Sequence, residues 1–119
     1  MPRRLTVAER HAAAKKDFLL EEIAAQSSWD QFLVEQAVLH IGTRYNEFSA
    51  NDLRDLLPEM GHGFLGAAIN SLRCGGLIEH SGRVVPSTLD STHGHRISVW
   101  QLTDKARRMA AKRAAARAA

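Results

Sequence analysis

Apolar residues recur at helical spacing through the first two thirds of the chain and at alternate positions over part of the remainder. From Thr6 to about Gln26, Val7, Ala14, Phe18, Leu19 and Ile23 follow helical rather than strand spacing. Thr6 and Glu9 make the pattern of a capping box, and the segment is rich in Ala, Leu, Lys and Glu, all good helix formers. Ser27 and Ser28 predict a break and a new N-cap, since Asp30 and Gln31 each stand three residues beyond a serine. A second helix then runs to about Thr43 on Trp29, Phe32, Leu33, Ala37, Leu39 and Ile41. Its apolar stripe is broad, which predicts burial on more than one side.

Shorter elements follow. Glu47-Phe48 is too short for a helix, and Ser49 with Asp52 repeats the N-cap pattern. Leu53, Leu56 and Leu57 give a short amphipathic helix that Pro58 ends. Another helix is predicted from about Gly63 to Cys74, burying Leu65, Ala68, Ile69 and Leu72 and stopped by Gly75-Gly76. The period then drops to two. Leu77 to His80 and Arg83 to Val85 read as strands about Ser81-Gly82, with Pro86 at an edge. Ser87 to Arg96 is a small, polar loop, and Ile97 to Leu102 a returning strand. The Ala- and Arg-rich end is either a helix or a fraying extension. Three parts result: an N-terminal helical extension (1–26), a central domain (27–102) and a basic tail (103–119).

Helix, very short strand, helix, turn, helix, strand–loop–strand is the order of a winged helix-turn-helix, so the predicted fold is α+β and mainly helical. Five motifs carry a family resemblance: Phe48-Ser49-Ala50-Asn51-Asp52-Leu53-Arg54, Gly66-Ala67-Ala68, Gly76-Leu77-Ile78, Ser91-Thr92-His93-Gly94-His95-Arg96 and Val99-Trp100. Together they resemble the small winged helix-turn-helix proteins encoded by phages of actinobacteria, over roughly Trp29 to Leu102. The resemblance implies a regulatory DNA-binding protein acting in the bacterial cytoplasm.

Charge refines this expectation. The 119 residues carry a formal net charge of +3, but Thr103 to Ala119 alone carries +5, and Arg3 and Arg4 add two more. Between Asp17 and Glu59, nine acids face only Arg44 and Arg54. One side of the molecule is therefore suited to a polyanion, and the acidic side predicts a competing role as a protein-interaction module for a basic host or phage protein. No apolar run approaches the ~20 residues of a membrane span and no signal peptide opens the chain. The single Cys74 excludes an internal disulfide, which fits a reducing cytoplasm.

For duplex DNA as partner, the helix ending at Cys74 is the groove candidate. Its stripe leaves Gly63, Gly66, Ala67, Asn70, Ser71, Arg73 and Cys74 outside. Asn70 suits adenine edges and Arg73 a guanine or a phosphate, while His62 and the amides at the helix start suit a phosphate. Two long donors are few for a sequence reader. Gly66 and Ala67 read either as close approach to DNA or, in preference, as close helix packing. In the loop, Ser91, Thr92, His93, His95 and Arg96 suit backbone contacts, with Arg96 in a narrow minor groove and Arg83 beside it. The competing reading makes the loop a polar tip with Arg96 paired to Glu79 or Asp90. Lys105, Arg107 and Arg108 head the tail cations that would neutralise phosphates.

No cofactor is implied. His93 and His95 alternate, but a zinc site wants three or four ligands, and no His–Asp–nucleophile set suggests catalysis, so no enzyme is expected. Trp29, Phe32, Phe48 and Trp100 are assigned to the core. Phe18, Leu19, Leu20 and Ile23 of the first helix need a cover, either the chain's own domain or a twin in a homodimer.

Overall fold

A computed structural model shows an α+β chain of four α-helices and a two-stranded antiparallel sheet; it describes residue 4 and residues 6–61 and 63–118. The elements run α1 (Val7–Arg44), α2 (Ala50–Leu56), α3 (Phe64–Cys74), β1 (Ile78–Pro86), a 3-10 turn at Asp90–Thr92, β2 (Arg96–Leu102) and α4 (Asp104–Ala118). Contacts divide the chain into two compact units, residues 1–31 and 32–119.

The first unit holds the beginning of α1. Thr6 and Glu9 cap it reciprocally: the Glu9 N–H donates to Thr6 Oγ1 and the Thr6 N–H to Glu9 Oε2, each at 3.2 Å. The break expected at Ser27-Ser28 is absent, and α1 is continuous for 38 residues. No Gly or Pro stands between Val7 and Ile41, and a serine inside a helix costs well under ~1 kcal/mol relative to alanine. The residues on both sides of the pair are helix formers, so propagation prevails over the local cap. Trp29 and Phe32, assigned above to the core, are exposed.

The second unit holds the core. Val34, Val38 and Ile41 follow the i, i+4, i+7 spacing of one face of α1, and they form one buried cluster with Phe48, Leu53, Ile69, Leu72, Ile78, Trp100, Leu102 and Ala106. Gly42 is part of this face: a Cβ there would stand 2.4 Å from Leu102 Cγ, so glycine alone allows α1 to lie so close to β2. Ahead of α2, the Asp52 carboxylate accepts the Ser49 N–H at 2.8 Å, as the capping pattern predicts.

Helix α3 ends in a left-handed residue at Gly76 (φ +77°). The Leu77 N–H donates to the Leu72 carbonyl and the Gly76 N–H to the Arg73 carbonyl, each at 3.0 Å, the pair of bonds of a Schellman ending. The hairpin expected about Ser81-Gly82 is not formed. Instead β1 runs through these residues as one strand, its register shifting between His80 (opposite Trp100) and Val84 (opposite Ser98). Residues 81–83 thus oppose Val99 alone, a bulge that Gly82 permits at φ +92°. Separating strand from bulge requires knowing the partner, which the local sequence lacks.

β2 is flanked on both sides. Its Trp100 faces His80 of β1 and, on the other edge, forms a two-bond bridge with Phe48 (N–H to O, 3.0 and 2.7 Å). The His80 and Trp100 rings stack with centroids 4.2 Å apart, and Trp100 is buried as expected. After β2 the chain turns at once into α4, so the basic end is an ordered helix, anchored by the fully buried Ala106.

Candidate nucleic-acid interface

On α3 the helical period separates two faces. Ala68, Ile69 and Leu72 are buried, Leu65, expected with them, is half-buried, and Gly66, Ala67, Asn70, Ser71, Arg73 and Cys74, with Gly63 ahead of the helix, are exposed, as the apolar stripe predicted. A Cβ on Gly66 would meet nothing within 4 Å, which removes the preferred reading of Gly66 as a close-packing residue. To other described residues, the side chains of Asn70, Ser71 and Arg73 make no hydrogen bond or ion pair, so their donors stay available. His62 lies outside the described residues.

The loop between the strands is built from its base. Ser87 N–H donates to the His95 carbonyl at 2.7 Å, one pair beyond the last strand pair, Pro86 with Arg96. Asn51 of α2 then clamps this base: its Nδ2 donates to the Pro86 carbonyl at 2.9 Å, and its Oδ1 accepts the Thr88 N–H at 2.9 Å. Arg54, one turn along, donates to the same Asn51 oxygen and reaches the Ser87 and Thr88 hydroxyls at 3.5 Å. Asn51 and Arg54 are thus structural residues of the loop, a role no local pattern discloses because their partners lie more than thirty residues away.

At the tip, the Thr92 hydroxyl donates to the Leu89 carbonyl at 2.7 Å, which ties it inward. His93 turns the chain in a left-handed conformation (φ 51°) ahead of Gly94. Ser91, His93, His95 and Arg96 are exposed. The pairing of Arg96 with Glu79 or Asp90 is not formed; Glu79 instead accepts Gln101 Nε2 at 3.1 Å. Arg83, expected beside Arg96, is held by Glu47 at 2.6 Å. That pair borders a shallow groove of about 640 Å³, which Asp52 and Asp55 also line.

The cations of α4 divide by role. Lys105 Nζ donates to the Gly75 carbonyl at 2.9 Å, and the Thr103 hydroxyl to the Gly76 carbonyl at 2.6 Å, so the start of α4 caps the end of α3. Such a cation opposite the negative end of α3 is favourable. Arg113 pairs with Glu35 of α1 at 2.9 Å. Arg107 and Arg117, with His40 of α1, line a second groove of about 540 Å³ whose floor includes Leu39 and Ala110. Arg108 and Lys112 are exposed.

The expected site residues therefore fall into two groups along the β-ribbon. Lys105, bonded to Gly75 just past α3, stands with the end of that helix at the Ile78–Leu102 end, and Ser91 to Arg96 at the Pro86–Arg96 end. The seven residues of β2 carry the chain between these ends, six steps or roughly 20 Å. Among the described residues, no group of three or more His, Cys, Asp and Glu side chains is placed to hold a metal ion, and no helix is long and apolar enough to cross a membrane. No protein-family model matches the chain, and none of the curated proteins or solved structures compared with it is similar.

Proposed function

We propose that this chain is a small duplex-DNA-binding protein of the winged helix-turn-helix type, with α2 and α3 as the helix pair and the loop 87–95 as the wing. The observation that carries the reading is the exposed face of α3 (Asn70, Ser71 and Arg73 beside the open Gly66), together with Arg96, whose side chains make no hydrogen bond or ion pair to another described residue. A side chain already committed within the fold would have to give up that bond first, whereas these four make no such bond to another described residue. In this reading Asn70 and Arg73 meet base edges or phosphates in a major groove. Arg96, with Ser91, His93 and His95, meets the backbone or a narrow minor groove. Arg108 and Lys112 add phosphate neutralisation without reading sequence. Lys105 and Arg83, having internal partners, move to a secondary place. A regulatory role is the corresponding biological reading, the one such small DNA binders suit.

The acidic groove beside α2 supports the second reading, a protein-interaction module, less well. Glu47 is neutralised by Arg83 and Asp52 is engaged by Ser49, so Asp55 is the one lining carboxylate without such a partner to another described residue.

The test is a duplex-DNA titration at several salt concentrations with the full chain, Arg73→Gln and Arg96→Gln. Binding should weaken as salt rises, and each variant should reduce the slope of log K against log salt by about 1. Binding that is absent at low salt, or a slope that neither variant changes, rules out this arrangement.

A further inference from the structure

We propose that the groove between α1 and α4 binds a ligand carrying consecutive phosphate groups, at a site separate from α3 and the loop. Its lining residues all belong to the second compact unit, and its volume of about 540 Å³ falls in the range of small-ligand sites. Arg107 and Arg117 stand on the α4 wall, and Gln36 and His40, one turn apart on α1, form the facing wall.

Charge selects the occupant. Among the described residues no carboxylate lines the groove, and neither Arg107 nor Arg117 forms an ion pair. Glu35, the acid beside the groove, is already engaged by Arg113 at 2.9 Å. A concave surface with cations of one sign and no counter-charge focuses a positive field. Guanidinium matches phosphate oxygens in geometry, and Gln36 and His40 offer N–H donors from the other side. Arg107 and Arg117 are ten residues apart, ~15 Å along the helix. Arg117 folds back, its Nε 3.5 Å from the Arg113 carbonyl one turn earlier, which carries its charge toward the middle of the groove. Two cations spaced along a groove suit a chain of phosphates better than a single one. Apolar gain is not what the floor offers: Leu39 is 6% exposed and Ala110 only partly, so an amphipathic helix laid there would bury little.

Such phosphates arrive on a small phosphorylated molecule or in a nucleic-acid strand, and competition separates the two sources. The probe is sodium tripolyphosphate, titrated calorimetrically into the full chain at low ionic strength. Saturable binding at one site per chain is expected, with Arg107→Gln and Arg117→Gln each weakening it about fivefold to tenfold. Lys16→Gln removes the same charge from the first unit and should change the affinity by less than about twofold. Far-UV circular dichroism checks that the variants stay folded. Displacement of tripolyphosphate by saturating duplex DNA assigns the groove to nucleic-acid backbone, and persistence assigns it to a small phosphorylated ligand. Absence of saturable binding overturns the proposal. So do groove variants without effect, or an equal loss in Lys16→Gln. The response of duplex binding to Arg73→Gln and Arg96→Gln bears on the α3 reading alone.

Discussion

Gly42 and Gly66 stand in helices of the same molecule and face opposite surroundings. At Gly42 a methyl group would press on Leu102 Cγ, a branch point that cannot swing aside as a flexible end would. Gly42→Ala gains up to ~1 kcal/mol of helix propensity but overpacks the core at ~1–3 kcal/mol, so the substitution should destabilise. At Gly66 the space is open, and Gly66→Ala should stabilise by a few tenths to ~1 kcal/mol. Urea unfolding of the two variants measures both signs. If Gly66 serves close approach of DNA, Gly66→Ala should also weaken duplex binding while raising stability, two effects a purely structural residue would not combine. Neither behaviour was legible in the sequence, where a glycine in a helix-compatible run looks the same whichever side it faces. The exposed set of α3, by contrast, was legible residue by residue, because a helix bearing one apolar stripe exposes the complement of that stripe.

Between elements, the decisive contacts are polar and long in range. Asn51 joins α2 to the base of the loop through both of its amide atoms, and Arg54 backs it. Asn51→Ala removes these bonds and leaves the Thr88 N–H without its acceptor, at an expected cost of ~1–2 kcal/mol. The sharper expectation is local: hydrogen exchange at the Thr88 amide should speed up while amides of the Val34–Leu53–Ile69 core keep their protection. Uniform loss of protection would show instead that the loop and core open as one unit. The sequence located α2 and its Ser49–Asp52 cap correctly because both are contained within a few residues. It misplaced the ends of α1 and β1 for the converse reason. Ser27-Ser28 and Ser81-Gly82 are good local stop signals, overridden by helix propagation in one case and by pairing with β2 in the other.

At the scale of the whole molecule, the basic C-terminal segment changes meaning. As sequence it is a detachable tail whose removal would isolate its contribution to DNA binding. In the fold, Ala106 is at 0% exposure, Lys105 caps α3, and Arg113 pairs with Glu35. A chain ending at Leu102 should therefore lose stability by several kcal/mol, the cumulative effect of an emptied core position and of cap and ion-pair partners left alone. The triple variant Arg107→Gln, Arg108→Gln, Lys112→Gln should instead melt within a few degrees of the parent and show a shallower salt dependence of binding. Thermal unfolding of the truncated and the substituted chains separates these outcomes, and equal melting temperatures for truncated and full-length protein would refute the packed role of α4. The bulk charge of +3 is similarly reapportioned. Lys105, Arg83 and Arg113 are engaged inside the fold, while Arg73, Arg96, Arg108 and Lys112 face outward.

What the chain's linear order determines is everything that follows from neighbours a turn or two apart: the helices and their faces, both capping boxes, the glycine end of α3, and the change from helical to strand period. These depend on backbone bonding within about five residues and on periodicity, which a single sequence contains in full. Tertiary structure alone decided which cations are engaged internally, that β1 absorbs a bulge, that Phe48 joins the sheet at Trp100, and that Gly42 rather than Gly66 is the close-packed glycine. Each depends on a partner distant along the chain, and no local pattern carries that partner's identity.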